Sequence, residues 1–264
     1  MAEDLKLGVV GCLGRMGQAI VAATSNFDGA IFAAGSEVVT HPGAGKRMVG
    51  TQIIVSDNAK AVFAVADVVI DFTPPGNTAV HGALAAETAT PLVVGTTGFT
   101  GDDSAVLDQA SKETVIVQAG NFSLGVNMMM ALATQAAAKL GTEWDIEILE
   151  MHHRDKVDAP SGTAEMLGEA AAAGRGDTLT NLRTGSRDGI TGVRKKGSIG
   201  FASLRGGSVI GEHEMIFASG SERITLSHKA ENRTLFADGA VRAAIWAASQ
   251  TAGRYSMQDV LGFD

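Results

Sequence analysis

Short apolar segments alternate with amphipathic segments over about the first 120 residues, and this alternation constrains the fold more than any other feature of the chain. The apolar runs are nearly continuous, as they are in strands covered on both faces of a parallel sheet. They predict strands over residues 5–10, 30–34, 67–72, 91–95 and 114–119, and helices near 18–24, 59–65, 78–87 and 102–112. The fold class is therefore predicted to be α/β, beginning with a Rossmann-like, doubly wound parallel sheet.

The pattern changes at about residue 123, where a long helix rich in Ala and Met is predicted over 123–140. A strand over 144–151 and a helix over 161–173 follow, and we expect the polar stretch 178–196 to be a mobile loop. Strands separated by glycine turns over 197–230 indicate a second, largely antiparallel sheet, and a helix is predicted over 235–252. The second part of the chain is thus expected to have an α+β arrangement.

Charge and cysteine content exclude several classes of partner and site. The formal net charge is −8 without a long basic run, so we expect no nucleic-acid partner. Cys12 is the single cysteine, which excludes a disulfide within the chain and disfavours a cysteine-based zinc site. No apolar run approaches the roughly 20 residues that span a bilayer, and the first residues lack signal-peptide features. We therefore expect a cytoplasmic protein without membrane contact.

Three glycines spaced three residues apart, Gly11, Gly14 and Gly17, lie between the first predicted strand and its helix. Glycine at such a turn lets the backbone approach a pyrophosphate, and the helix N-terminus offers N–H groups and a positive dipole end. Arg15 adds a positive charge to the loop. Glu37 follows the second predicted strand, where a carboxylate would accept hydrogen bonds from the adenosine ribose. These residues together predict a dinucleotide site.

Two further loops are expected at the same edge of the sheet. Residues 95–99 (GTTGF) and 119–123 (AGNFS) each follow a predicted strand. In doubly wound sheets, ligands bind beyond the carboxyl ends of the strands. The small residues and hydroxyl groups of both loops would let a nicotinamide ring and its ribose lie close to the backbone.

Two adjacent histidines, His152 and His153, lie with an arginine and with Lys156 within five positions. Imidazole donates or accepts a proton near neutral pH. At the end of a strand the two rings should point to opposite sides and therefore have different roles. We interpret the block as a site that binds an anionic substrate and moves a proton. A metal ion is not expected, because Lys156 would repel it.

A helix-entry signal, Pro160-Ser161-Gly162-Thr163, follows the histidines. Pro160 suits the first turn of a helix. The N–H groups of that turn and the hydroxyl groups of Ser161 and Thr163 could hold a substrate carboxylate.

These motifs resemble, over nearly the whole chain, the 4-hydroxy-tetrahydrodipicolinate reductases, also called dihydrodipicolinate reductases. The histidine block is the most specific motif, whereas the glycine loop is shared with many dehydrogenases. The matching segments are GCLGRMG (11–17), DFTPP (71–75), GTTGF (95–99), NFSLGVN (121–127), EMHHRDKVDAPSGTA (150–164) and GFASLRGGSVIGEHEMIF (200–217).

The resemblance implies reduction of 4-hydroxy-tetrahydrodipicolinate to tetrahydrodipicolinate with loss of water, using NADH or NADPH, in lysine and diaminopimelate biosynthesis. It assigns proton transfer to His152 and Lys156 without deciding between them. It places the dicarboxylate substrate at His153, Gly162, Thr163 and Arg233. It places the cofactor at Gly11, Cys12, Leu13, Gly14, Arg15, Met16, Glu37, Gly95, Thr96, Thr97, Ala119, Gly120, Asn121 and Phe122.

The resemblance also implies a division into two domains. Residues 1–122 and 233–264 are expected to bind the dinucleotide, because the C-terminal helix returns to the first domain in this family. Residues 123–232 are expected to bind the substrate and to form a homotetramer through the second sheet.

Two departures from the family pattern concern the coenzyme. Val38 follows Glu37, where many members carry a basic residue that holds a 2′-phosphate, and Pro74 occupies the basic position of the DFTxP motif. We therefore predict that NADH is preferred to NADPH, unless Lys46 or Arg47 folds back toward the ribose.

Two other functions are weighed against this prediction. A semialdehyde dehydrogenase needs a cysteine nucleophile. The single cysteine, Cys12, lies within the dinucleotide loop, so this class of enzyme is rejected. A catalytically silent dinucleotide-binding regulator would keep the glycine loop but would have no reason to keep His152, His153 and Lys156 together.

Overall fold

The computed structural model describes residues 3–185 and 187–263 of the chain, which forms two compact units. The first unit comprises the chain up to Ser123 together with the segment from Thr234 onward, and the second unit is Leu124–Arg233. These boundaries lie one residue from those that the family resemblance implies. Each unit has its own sheet and its own apolar core.

Strands and helices alternate through most of the first unit, and the chain returns to it at the end. The first pass contains β1 (Leu5–Val10), α1 (Arg15–Thr24), β2 (Ala30–Ser36), α2 (Ala59–Phe63), β3 (Val68–Asp71), α3 (Thr78–Thr88), β4 (Leu92–Val94), α4 (Gly101–Ala110) and β5 (Val115–Gln118). The second unit contains α5 (Leu124–Leu140), β6 (Asp145–His152), α6 (Gly162–Gly174), α7 (Leu179–Leu182), β7 (Ile199–Arg205), β8 (Glu212–Ala218) and β9 (Arg223–Lys229). The return consists of α8 (Thr234–Ala247), β10 (Gly253–Tyr255) and α9 (Met257–Leu261). None of the helices in the described part of the chain combines the length and the apolar composition that a membrane span requires.

Six parallel strands form the sheet of the first unit in the order β10-β5-β4-β3-β1-β2. The order reverses next to β1, which is the position where doubly wound sheets bind ligands. All four residues of β3 are buried, and because successive side chains point to opposite faces, both faces of the sheet are covered there. Helix α8 packs against α1, β3 and β4. The predicted Rossmann-like sheet is therefore confirmed.

Two helix boundaries in this unit differ from the predictions by three residues or more. Helix α1 begins at Arg15 rather than at residue 18, because Gly14 adopts the extended conformation of an N-cap residue. The prediction of a helix over 235–252 is wrong at its end, since α8 stops at Ala247 and Gly253–Tyr255 forms the sixth strand. Ser249, Thr251 and Gly253 after Ala247 are poorer helix formers than alanine. The backbone groups of Gly253–Tyr255 pair with β5 instead.

A four-stranded sheet in the order β7-β6-β8-β9 forms the second unit. The β6–β7 pair is parallel and the other two pairs are antiparallel, so the predicted largely antiparallel sheet is confirmed. Strand β6 alternates strictly between half-buried and buried residues. Its buried Ile146 and Ile148 pack with Leu167 of α6 and Phe217 of β8 in one apolar cluster. The sheet thus has one face covered by helices and one face that is more open.

The sequence predicts a loop over the polar stretch 178–196. The structure differs at Leu179–Leu182, which forms the short helix α7. Farther along, Arg194 is anchored to the start of β6. Its Nε donates to Glu147 Oε1 at 2.9 Å and its Nη1 donates to Asp145 Oδ1 at 2.6 Å. These charge-assisted contacts fix part of the stretch against the sheet.

Candidate active site

Five parallel strands of the first unit end at the same level. Val10 is in register with Ser36 on one side and with Asp71 on the other, and the register continues through Val94 to Gln118. Each of the loops predicted to bind the cofactor begins at the residue after one of these ends. The parallel register is therefore what brings the glycine loop, Glu37 and the segments 95–97 and 119–122 to one edge of the sheet.

The glycine loop has the backbone conformation that its sequence predicts. Gly11 has a φ of +68°, a region that favours glycine, and a Cβ at Gly17 would lie 2.2 Å from the carbonyl oxygen of Gly11. Gly14 occupies the N-cap position of α1 and has no side chain to cap the first N–H groups. Arg15 and Met16 lie in the first helical turn, where Arg15 is exposed. This N-terminus suits an anionic group.

Glu37 lies directly beside the glycine loop. Its Oε2 accepts a hydrogen bond from the backbone N–H of Leu13 at 3.2 Å, and its Oε1 accepts one from the backbone N–H of Val38 at 3.0 Å. Glu37 lines a cavity together with Gly11, Val38, Asp57, Thr73 and His81. Among the described residues that line this cavity there is no lysine or arginine, and Asp57 supplies a second carboxylate.

A buried Asp71 at the end of β3 organises the same edge. Its Oδ1 accepts hydrogen bonds from the N–H of Thr73 at 2.8 Å and from the Thr73 hydroxyl at 2.7 Å. Its Oδ2 lies 2.7 Å from Nδ1 of His81 on α3. The carbonyl oxygen of Thr73 accepts from the hydroxyl of Thr96 at 2.8 Å. Asp71 and His81 are therefore residues of this edge that the sequence motifs did not single out.

The remaining residues predicted to contact the cofactor lie in the loops after β4 and β5. Gly95 is half-buried, and a Cβ there would overlap the ring of Phe72 at 2.2 Å. Thr96 is buried, whereas Thr97 and Gly120 are exposed. After β5, Ala119 and Asn121 are half-buried, and Phe122 is buried.

Cys12 is buried within the glycine loop. Burial, together with the nearby negative charge of Glu37, raises the pKa of its thiol to about 11. A nucleophilic cysteine needs a lowered pKa and access to substrate. The cysteine chemistry of a semialdehyde dehydrogenase therefore has no suitable residue in this chain.

Polar residues meet on the covered face of the second sheet where β6 ends. In the register, Glu150 is opposite Ser203 of β7 and His213 of β8, and His152 is opposite Arg205 of β7. On β6 itself, Glu150 and His152 continue the row of buried residues that begins with Ile146 and Ile148, because the side-chain period of a strand is two. One face of β6 therefore changes from apolar core to a polar cluster.

The Glu150 carboxylate is the centre of this cluster and is 1% exposed. Arg205 donates from Nη2 to Oε1 and from Nη1 to Oε2, each at 2.8 Å. Nδ1 of His152 lies 2.6 Å from Oε2, and the backbone N–H of Ser161 donates to Oε1 at 3.3 Å. The carboxylate thus joins β6, β7 and the start of α6.

These contacts decide the charge states in the cluster. Burial raises the pKa of Glu150, but hydrogen bonds from Arg205, Ser203 and His152 and the positive charge of Arg205 outweigh it and bring the pKa to about 2. Burial lowers the pKa of His152, and the Glu150 carboxylate partly opposes this effect. Glu150 is therefore ionised over the physiological range of pH, while His152 titrates below its ordinary pKa.

His213 packs against His152, with ring centroids 5.2 Å apart in an edge arrangement. Its Nε2 lies 3.0 Å from the hydroxyl of Ser161. Burial lowers the pKa of His213 to about 4, so the ring is neutral near pH 7. Ser161 is itself buried, and its hydroxyl also accepts the N–H of Ala164 as the N-cap of α6.

The other residues that are predicted to act on or bind the substrate lie just beyond β6, in the first turn of α6 and at the end of the second unit. His153 lies just beyond β6 and is half-buried, whereas His152 is the buried last residue of the strand. Lys156 donates from Nζ to both carboxylate oxygens of Asp158, at 2.7 and 2.8 Å. Gly162 and Thr163 form the first turn of α6, and Arg233 is an exposed residue at the end of the second unit.

The sequence position of Pro160 suggests that it lies in the first turn of α6, but the structure places it before that helix. Ser161 is the N-cap residue, and the helix begins at Gly162. The Ser161 hydroxyl already accepts an N–H of the first turn, which leaves Pro160 outside the helix.

Sequence reasoning missed Glu150, Arg205, His213 and Asp158 as members of the cluster. A signal for Glu150 was present, because a spacing of two residues on a strand places its side chain on the same face as His152. Arg205 and His213 come from strands whose pairing register is not visible in the sequence. Over the described parts of the chain, no group of three His, Cys, Asp or Glu side chains is arranged to hold a metal ion.

The two units have the features of a dinucleotide-dependent oxidoreductase: a doubly wound sheet with a glycine loop, and a polar cluster with proton-carrying groups. Two family models match nearly the whole chain, the N-terminal part of dihydrodipicolinate reductase over residues 5–122 and its C-terminal part over residues 125–261. The chain belongs to the dihydrodipicolinate reductase family.

Curated relatives agree with this assignment. The chain is 52% identical to 4-hydroxy-tetrahydrodipicolinate reductase 1 of Mesorhizobium japonicum, over 99% of this chain and 98% of the relative. It is 47% identical to the 4-hydroxy-tetrahydrodipicolinate reductase of Parvibaculum lavamentivorans, with both chains fully covered.

Solved structures give the same result for the fold. A dipicolinate-bound dihydrodipicolinate reductase from Paenisporosarcina sp. TG-14 matches with a TM-score of 0.79 and 25% identity, over 96% of this chain and 97% of the other. A probable dehydrogenase from Thermotoga maritima, at 12% identity, matches with a TM-score of 0.63, over 98% of this chain and 93% of the other, and shares the fold alone.

Gly211 leaves the space beside His152, since a Cβ built there would lie 3.0 Å from Nε2. We expect Gly211→Ala to lower reductase turnover about tenfold or more, because the added methyl group displaces the ring or obstructs Nε2. Steady-state kinetics measure the effect. Gly220→Ala is the matched control, because a Cβ there meets nothing within 4 Å. Equal turnover in both variants would show that the space beside Nε2 is not used.

Proposed function

We propose that the chain catalyses the NAD(P)H-dependent reduction of 4-hydroxy-tetrahydrodipicolinate to tetrahydrodipicolinate, with loss of water, in lysine and diaminopimelate biosynthesis. Membership of the reductase family supports the reaction. The observation that carries the proposal is the buried His152–Glu150 pair near Lys156, because a protein that binds the dinucleotide without catalysis has no use for it. The silent regulator is therefore the weaker alternative.

The edge of the first sheet fits a pyridine nucleotide. The first N–H groups of α1 and the Gly11–Gly14 turn would hold the diphosphate, and the Glu37 carboxylate would accept hydrogen bonds from the adenosine ribose. The segments 95–97 and 119–122 would bind near the nicotinamide end. When bound, the reduced nucleotide supplies the hydride.

The start of α6 is where we place the substrate. The first-turn N–H groups at Gly162 and Thr163, with the positive end of the helix dipole, would bind one carboxylate. His153 and Arg233 would supply further donors. The dipicolinate bound to the related reductase is also a dicarboxylate, which supports an anionic ring ligand.

His152 and Lys156 supply the proton that the reduction requires. The Nζ of Lys156 donates to Asp158, which orients it. His152 presents the nitrogen that does not face Glu150, and because burial lowers the pKa of the ring, the neutral form that can accept a proton predominates near pH 7.

His152→Ala and Lys156→Ala should each lower kcat by about 10²- to 10⁴-fold, because each removes a proton carrier. Affinity for NADH should change little, since neither residue belongs to the first unit. Absorbance loss of NADH with freshly made substrate gives kcat, and fluorescence titration gives the affinity. Inactive wild-type protein that binds NADH would favour the regulator. Parallel loss of NADH binding in both variants would indicate a structural role.

We further propose a preference for NADH. A 2′-phosphate would meet Glu37 and Asp57 in a cavity whose described lining contains no lysine or arginine, and Val38 is 56% exposed in the place of a cation. The ratio of kcat/KM values measures the preference. Val38→Arg should move the ratio toward NADPH by about tenfold, because arginine binds phosphate well. A preference of the wild type for NADPH by more than about tenfold would contradict the proposal.

We also propose that the protein is a cytoplasmic homotetramer assembled through the second sheet. The more open face of that sheet carries Leu149, Met151 and Ile216, and Leu204 beside them is 47% exposed. Apolar residues on an exposed sheet face favour association. Light scattering should give a mass four times that of the 27.1 kDa chain; a monomer would exclude this assembly.

A further inference from the structure

Glu150 connects the candidate proton carriers to the rest of the second unit. Its two carboxylate oxygens contact a side chain of its own strand, a side chain of β7 and a backbone N–H at the start of α6. A fully buried carboxylate at such a junction needs strong partners, because an unpaired buried charge is very costly. The bidentate guanidinium of Arg205 is that partner.

We propose that Glu150, held by Arg205, is a positioning residue that fixes the His152 ring with Nδ1 as the hydrogen-bond donor and leaves Nε2 as the atom that exchanges protons. The inference rests on the proposed reductase function and adds to it a residue to which neither the motifs nor the comparisons assign a role. Glu150 does not itself contact the reacting atoms. Its effect is transmitted through the imidazole.

The assignment of the ring nitrogens follows from the charge of the carboxylate. An ionised carboxylate is an acceptor only, so the contact of 2.6 Å requires a hydrogen on Nδ1. In the neutral ring the other nitrogen, Nε2, then carries the lone pair. Nε2 is the ring atom nearest to Gly211, which has no side chain of its own to cover it. The pair therefore selects one tautomer and directs its reactive nitrogen away from Glu150.

Arg205 also holds the segment that carries Lys156. In addition to Glu150, its Nη2 donates to the carbonyl oxygen of Asp158 at 2.5 Å. Asp158 in turn accepts both hydrogen bonds of Lys156. One guanidinium thus sets the positions of both proton carriers, His152 through Glu150 and Lys156 through Asp158.

The groups that face His152 predict the direction of its titration. Glu150 of its own strand favours the protonated ring, whereas Arg205 of β7 and Lys156 of the following segment disfavour it, and burial also lowers its pKa. His213 of β8, which packs against the ring, is neutral near pH 7, and Ser161 at the start of α6 carries no charge. Removal of the Glu150 charge should therefore lower the pKa of His152 further.

The test compares Glu150→Gln with Glu147→Gln. Glu147 is the matched control because it lies on the same strand, is also paired with arginines, and belongs to the opposite face. In Glu150→Gln, kcat should fall about a hundredfold, and the pKa of His152 should fall by about one unit or more. The pKa is followed by NMR titration and assigned by comparison with His152→Asn. Glu147→Gln should leave both values close to those of the wild type.

Three outcomes separate this inference from the proposed function. If the wild type is active and Glu150→Gln has the same kcat and the same His152 titration as the wild type, the positioning role alone is overturned. If the wild type reduces no substrate with either coenzyme, the proposed function fails, and the NMR titration still decides the role of Glu150. If Glu150→Gln does not fold, Arg205→Lys replaces it, because lysine keeps the charge and loses the paired contact. Folded Arg205→Lys should lose at least about tenfold in kcat; turnover equal to that of the wild type would overturn the inference.

Discussion

The ion pair between the buried Glu150 carboxylate and the half-buried Arg205 is the interaction on which the arrangement of the second unit's polar cluster depends. Without the guanidinium, burial would favour a neutral carboxyl, and the hydrogen on Nδ1 of His152 would no longer be fixed. The desolvation cost of an ion pair offsets much of its Coulomb attraction, so we interpret this pair by the geometry that it fixes. Here that geometry concerns one imidazole and one ammonium group, both belonging to the segment 150–163.

The first unit depends on a different constraint, the register of its parallel strands. Because five strands end at one level, loops that are far apart in sequence share one edge, and Asp71 links two of them through Thr73. Register is strongly specified where a sheet packs against a core, because a slip by one residue moves every side chain to the other face. The cofactor edge is thus a consequence of the apolar pattern, to which the glycines and Glu37 add the chemistry.

Much of both units could be predicted from sequence because their signals are local. Continuous apolar runs reveal the buried strands, and the spacing of Gly11, Gly14 and Gly17 reveals the loop. Strand β10 was missed because three residues after a long helix carry no periodic signal, and only pairing with β5 makes them a strand. Arg205 and His213 were missed for the same reason, since their proximity to His152 is created by strand pairing. The family resemblance predicts the reaction, but it does not predict the ion pair that orients the histidine.

The most direct measurement is the tautomer of His152 in the wild-type protein, read from the ¹⁵N chemical shifts of its ring above its pKa. An ionised Glu150 at 2.6 Å predicts a protonated Nδ1 and an unprotonated Nε2. The same tautomer should be lost or mixed when the carboxylate is removed. A wild-type ring with its hydrogen on Nε2 would contradict the positioning role of Glu150 and the assignment of Nε2 as the proton-exchanging atom.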